Sequence, residues 1–236
     1  MRRSTAVLLA AGAVAGYVKA RQWFTRWGAE PEEVEARLPG DELVTDPTMI
    51  VTRAITIDAP PEAVWPWIVQ MGQGRAGFYS YDCLENVFGL EIHNSDRIEP
   101  EWQALAVGDQ LRAAPASAGP AAGFTVVHID PGRALVTAVG DPSVVLPQAE
   151  AGALPDGATW AFVLRPVGDR QTRLIVRLRA RYPLPPAGAW VVERLLEPVH
   201  FVMERKQLLT LRDLAGRQPT PADASASGPA TVAAAG

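Results

Sequence analysis

Hydrophobic and polar positions change period several times along the 236-residue chain. Ile50 to Asp58 (IVTRAITID) is rich in β-branched residues and meets Ala59-Pro60-Pro61, which predicts a strand stopped by proline. Pro61-Glu62-Ala63-Val64 then opens a helix, since proline suits the first turn and Glu62 suits the positive end of the helix dipole. Pro66 removes one backbone hydrogen bond and predicts a bend near Trp65–Trp67. A second short helix is expected over Asp82–Phe88, where Asp82 and Glu85 have capping-box spacing. Two hairpins follow. Phe124–Asp130 and Arg133–Val139 flank Pro131-Gly132, and Thr159–Arg165 and Thr172–Tyr182 flank Gly168-Asp169. In the last of these runs Leu174, Val176, Leu178 and Ala180 face one way and Arg173, Arg177, Arg179 and Arg181 the other, with Ile175 the exception. The alternation predicts a sheet with one buried and one solvated face.

Trp190 to Leu214 carries the longest helical pattern, ended by Gly216 and interrupted by Pro198. Val191, Val192, Leu195, Leu196, Val199, Val202, Met203 and Leu209 share one arc of the wheel, with Lys206 near its centre and His200 just outside its edge. That arc is expected to face the sheet. Strand, two short helices, antiparallel strands and a long last helix cannot build parallel βαβ units. The fold class is therefore α+β, a sheet wrapped on a C-terminal helix, over residues 48–216.

The ends differ from this body. Ser4 to Val18 is fifteen residues without charge, bracketed by Arg2-Arg3 and Lys19-Ala20-Arg21. A spanning helix wants roughly 20 apolar residues. Trp23, Phe24 and Trp27 among Arg21 and Arg26 have the chemistry of a membrane interface belt. Residues 1–27 are thus expected to be a hydrophobic anchor or signal-like helix, and the chain to be membrane-associated through this single segment. A signal cleaved at Ala13-Val14-Ala15 and a helix of a cytoplasmic protein stay open as alternatives. Residues 28–47 read as an acidic linker, interrupted by Pro31, Pro39-Gly40 and Pro47. Residues 217–236, almost all Pro, Ala, Ser, Thr and Gly, read as a disordered tail.

With 48% hydrophobic and 20% charged residues the chain is globular, and its length suits one domain plus extensions. The net charge of −4 hides +5 on residues 1–27, −6 on 28–50 and −3 on 51–216. An acidic body with an arginine row lacking interleaved aromatics excludes nucleic acid as a partner. The single Cys83 excludes a disulfide framework and Cys-rich zinc sites. His93, His128 and His200 lack ligand spacing, so no metal and no cofactor is expected. Gly72-Gln73-Gly74-Arg75-Ala76-Gly77 spells a dinucleotide fingerprint, but a helix precedes it and no parallel unit surrounds it. It reads as a joint between helices.

The stretch Ile55-Thr56-Ile57-Asp58-Ala59-Pro60-Pro61-Glu62-Ala63-Val64-Trp65, followed by the Asp130–Val136 hairpin, resembles the START-like, or SRPBCC, superfamily. Trp65-Pro66-Trp67, Gln70-Met71-Gly72, Gly77-Phe78-Tyr79-Ser80-Tyr81-Asp82 and Leu84-Glu85-Asn86 are similar to a bacterial branch without assigned chemistry. The resemblance implies a helix-grip fold whose cavity, between curved sheet and last helix, holds a hydrophobic or amphipathic small molecule. Its members include lipid carriers, hormone receptors, polyketide cyclases and aromatases. No catalytic residues of an enzymatic branch match. The cavity candidates are Trp67, Tyr79, Tyr81, Glu85 and Trp102, with Val192, Leu195, Val199, His200, Met203 and Lys206 on the last helix. Titratable groups there would be partly desolvated and pushed toward neutrality. The expected function is binding or transport of a lipid-like or other hydrophobic molecule by a membrane-tethered domain. A cyclase-, aromatase- or dehydratase-type enzyme using acid–base residues of the same cavity is the alternative, and a scaffold with a filled interior the third.

Overall fold

In the computed structural model, which describes residues 2–182 and 184–217, six strands form one curved antiparallel sheet. They are β1 (Met49–Ile57), β2 (Gln110–Arg112), β3 (Gly123–Asp130), β4 (Ala134–Val139), β5 (Gly157–Val167) and β6 (Gln171–Arg181), in the spatial order β1-β6-β5-β4-β3-β2. The first and last strands are neighbours, with Met49 opposite Ala180 and Ile57 opposite Thr172. Between β1 and β2 lie α3 (Pro61–Val69) and α4 (Asp82–Val87), preceded in the chain by α1 (Arg2–Thr25) and α2 (Pro31–Glu35). The long α6 (Pro186–Ala215) closes the domain, giving the expected α+β helix-grip architecture. One helix was not expected from the sequence. It is α5 (Pro142–Glu150), started by Pro142 and capped by the Asp141 carboxylate, which accepts the Ser143 N–H at 2.8 Å.

Strand alternation sorts the two faces. Met49, Val51, Ile55 and Ile57 of β1, Leu174, Val176 and Leu178 of β6, and Trp160, Phe162 and Leu164 of β5 point inward. They pack with Trp67 and Ile68 of α3 and with Leu208 and Leu211 of α6. Each such side chain contributes about 1.5–3 kcal/mol by leaving water.

The outer face is covered by residues 28–47, which lie on it as a strap. Glu33 pairs with Arg173 at 2.7 Å and Asp41 with Arg177 at 2.7 Å. Arg177, only 3% exposed, also donates to the carbonyls of Glu33, Val34 and Ala36. Arg179 donates to the Val44 carbonyl, and Arg181 pairs with Asp46. The expected solvated arginine face is thus a packed one. The physical reason is donor supply: strap carbonyls have no ladder partner, and each guanidinium offers five N–H groups. Ile175, the exception in the arginine row, packs with Leu38 of the strap, Ala54 and Val163. Burial works to raise the Glu33 pKa, but hydrogen bonds from Arg173 and the Glu30 N–H outweigh it and hold the carboxyl below its ordinary value.

The N-terminal expectation is corrected as well. No helix among the described residues is long and apolar enough to cross a membrane, which overturns membrane association through residues 1–27. The uncharged run of α1 is short and rich in alanine and glycine, and Lys19 and Arg21 follow within the same helix. Its last turn docks on the body instead. Arg21 makes a two-point bond to Glu197 at 2.6 and 2.8 Å, and buried Phe24 and exposed Trp23 contact the Phe201 ring.

Most of the apolar arc expected to face the sheet does not do so. Leu195 and Val199 are 68% and 61% exposed, while Glu197, Glu204, Gln207, Leu208 and Leu211 are buried. Glu197, Glu204, Leu208 and Leu211 share one side of the wheel, opposite Leu195 and Val199. Arg21 and Arg53 require acids on the inward side, and that requirement sets the rotation of the helix.

Candidate functional site

The loop from α3 to α4 carries one wall of a partly open cavity. Gly72 and Gly77 exchange backbone hydrogen bonds at 2.9 and 3.0 Å, closing the glycine-rich run into a tight hairpin. Gly77 adopts φ +69°, and a Cβ there would sit 2.5 Å from Asn94 Oδ1 and 2.9 Å from the His93 carbonyl. Only glycine fits. Two residues on, Tyr79 also has a positive φ of 59°, a strained state held by its N–H bond to Asn94 Oδ1 at 2.7 Å. Its hydroxyl accepts from Gln70 at 2.8 Å, and burial drives its pKa well above the ordinary value. This turn presents Phe78 and Ser80 to the cavity.

The cavity, about 250 Å³, is lined mainly by apolar side chains: Phe78, Leu90, Ile92, Ala113, Phe124, Trp160, Leu178 and Met203. Phe78, Phe124 and Trp160 form an aromatic cluster with ring centres 5.1–6.2 Å apart. Polar atoms come from Ser80, Glu85, His200, Glu204 and Gln207.

Behind α6 lies a buried network centred on Arg53. Its Nη1 donates to Glu204 at 2.5 Å and to His200 Nδ1 at 2.9 Å, and its Nε donates to the Phe24 carbonyl at 2.7 Å. The Trp160 indole N–H donates to the other Glu204 oxygen at 2.9 Å. A guanidinium can only donate, so His200 Nδ1 accepts and the ring proton sits on Nε2, 3.5 Å from Glu204. Burial holds the imidazole below its ordinary pKa, with Glu204 opposing the shift and Arg53 reinforcing it. His200 is therefore neutral, and the Glu204 charge is matched within the protein.

Glu85 behaves differently. It does not close a capping box: Tyr81 takes the N-cap position without a side-chain bond, and Glu85 turns into the cavity, 8% exposed. Burial, then the neighbouring charge of Asp82, pushes its pKa up to about 7. Its Oε2 has no hydrogen-bond partner among the described residues.

Of the eleven candidates read from sequence, the structure brings Glu85, His200 and Met203 together on this cavity. Trp67 and Tyr79 are core residues in edge contact at 6.0 Å, and Trp102 packs against the same core. Tyr81 is exposed, Val192 and Lys206 are half-buried away from the cavity lining, and Leu195 and Val199 face outward. The sequence reading missed Arg53, Glu204 and Gln207. Arg53 shares strand parity with Val51, Ile55 and Ile57, and a charge in an apolar register is a usable signal. Glu204 and Gln207 follow His200 at i+4 and i+7, so they share its helix face. Among the described residues no three His, Cys, Asp or Glu side chains are grouped to hold a metal ion.

This is a helix-grip domain with a mainly apolar cavity beneath its last helix. The chain matches no protein-family model and no curated protein. In fold it is similar to solved structures at low identity. The Zhui aromatase/cyclase from Streptomyces sp. R1128 is 14% identical over 74% of this chain and 97% of its own, with a TM-score of 0.39. A protein from Nitrosomonas europaea is 14% identical over 72% and 96%, with a TM-score of 0.41. The Aha1 dimer from Colwellia psychrerythraea is 16% identical over 72% and 100%, with a TM-score of 0.36.

Proposed function

We propose that the chain, whose motifs resemble a bacterial branch of START-like proteins, binds an apolar small molecule between sheet and α6. The observation that carries this reading is the cavity of about 250 Å³, walled by an aromatic cluster and a few confined polar groups. A dry cavity of about 150 Å³ holds benzene, so this volume suits one or two rings or a short chain and not a diacyl lipid. Apolar burial at about 25 cal/mol per Å² supplies affinity. The acid–base enzyme reading draws support from Glu85 alone, because Glu204 is held by Arg53 and Trp160 and His200 by Arg53. The volume also argues against a filled scaffold.

The test is titration with an uncharged, environment-sensitive two-ring dye such as prodan. Saturable fluorescence is expected from the native chain, and its loss from Ala113→Trp or Leu90→Trp, each checked for folding by circular dichroism. Absence of saturable binding, or binding indifferent to both cavity-filling changes, would overturn the reading.

A further inference from the structure

The cavity's polar atoms are not matched evenly. Glu204 is neutralised by Arg53 and capped by the Trp160 indole, and Ser80 donates to the Met203 carbonyl at 3.1 Å. Two lining residues remain with a buried atom that has no partner among the described residues: Glu85 through Oε2 and Gln207 through Oε1. They are 8% and 2% exposed and come from opposite elements, α4 and α6. The Gln207 orientation follows from its neighbour. Its amide nitrogen donates to Met71 Sδ at 3.4 Å, a weak acceptor, and its oxygen is the atom left without a partner. Both unmatched atoms are therefore acceptors, and one belongs to a carboxyl group with no cation among the lining residues. The charged or titratable groups around Glu85 are Asp82 on its own helix and, across the cavity, neutral His200 and the already paired Glu204.

We infer that the ligand's polar end is a primary or secondary ammonium, carried on an apolar body that fills the aromatic cavity. A hydroxyl offers one O–H donor, whereas such an ammonium offers two or three N–H donors, enough for both acceptors. Its charge pairs with Glu85, and the faces of Phe78, Phe124 and Trp160 are the surfaces that attract cations. This inference rests on the proposed binding reading and names the ligand class for the same cavity. At pH 8 Glu85, with its pKa of about 7, is ionised and ready to pair.

The experiment measures displacement of the uncharged dye at pH 8 by three probes of one shape: 2-(aminomethyl)naphthalene, 2-(hydroxymethyl)naphthalene and 2-naphthoate. The amine is expected to bind about tenfold more tightly than the alcohol, with the carboxylate weakest. Glu85→Gln should bring the amine-to-alcohol ratio close to one, and Gln207→Leu should narrow it. An alcohol that binds as tightly as the amine, or an amine preference unchanged in both variants, would overturn the inference while leaving the binding reading intact. If neither the dye nor any probe binds, both fall together.

Discussion

Arginine on the inner face of the sheet and arginine on the outer face solve different problems. Arg53 is fully buried and meets one carboxylate, one neutral imidazole and one helix-terminal carbonyl. Arg173, Arg177, Arg179 and Arg181, spaced along β6, bind the acids and carbonyls of the strap. Inside, Arg53 joins Arg21 in fixing the rotation of α6 through its pair with Glu204 and binds the end of α1 through the Phe24 carbonyl, beside space that is left unfilled. Outside, a row of donors replaces the ladder that an irregular segment lacks. The outer face is thus completed by the chain itself. On the inner side, among the described residues, two cavity-lining acceptors on α4 and α6 stay unmatched, and the proposed ligand reading rests on that difference.

The sharpest way to break this contrast is at the inner pair. Glu204→Ala leaves Arg53 buried without its charge and should cost about 3–5 kcal/mol in urea denaturation. Arg53→Met with Glu204→Leu should cost far less, because no lone charge remains. Equal costs for the single and double variants would mean that the pair does not hold the helix.

The next effect is a pH dependence. The folded protein keeps the Glu85 proton up to about pH 7, while the unfolded carboxyl releases it near 4.5. The folded state therefore binds more protons in between. This contribution is full below about pH 4.5 and is lost as pH rises through 7, amounting to at most about 3 kcal/mol at 1.36 kcal/mol per unit. Wild type should lose more stability than Glu85→Gln between pH 4.5 and 8. Parallel curves would show that Glu85 is not desolvated.

On the outer face Arg177→Met should cost about 2 kcal/mol and open residues 28–47 to proteolysis, without loss of dye binding. A variant that loses dye binding in step with its strap would show that the two faces are coupled.

Much of the architecture was legible because periodicity is a local property. The hairpins at Pro131-Gly132 and Gly168-Asp169, the strand ended by Pro60-Pro61 and the long last helix all announce themselves within a few residues. Glu85, His200 and Met203 were within reach for the same reason. The face that α6 buries was not. Its orientation depends on Arg21 and Arg53, which lie 176 and 151 residues before Glu197 and Glu204. An amphipathic wheel ranks apolar residues and gives no sign that the inward side carries two acids. Ile175 illustrates a signal read but not used: one isoleucine in a row of arginines is where Leu38 seats. Trp23 and Phe24 likewise combine aromatic and basic neighbours, a pattern that suits a membrane interface and a docking helix end equally well.

The separation of Arg53 from Glu204 also sets an order of events during synthesis. β1 emerges early, and its guanidinium must wait for almost the whole domain before its acid arrives. Contacts of such long range are slow to form and arrive late in folding. The strap waits in the same way, since Asp41 precedes Arg177 by 136 residues. The cavity wall is accordingly completed only when α6 docks, so it is among the last parts of the domain to be built.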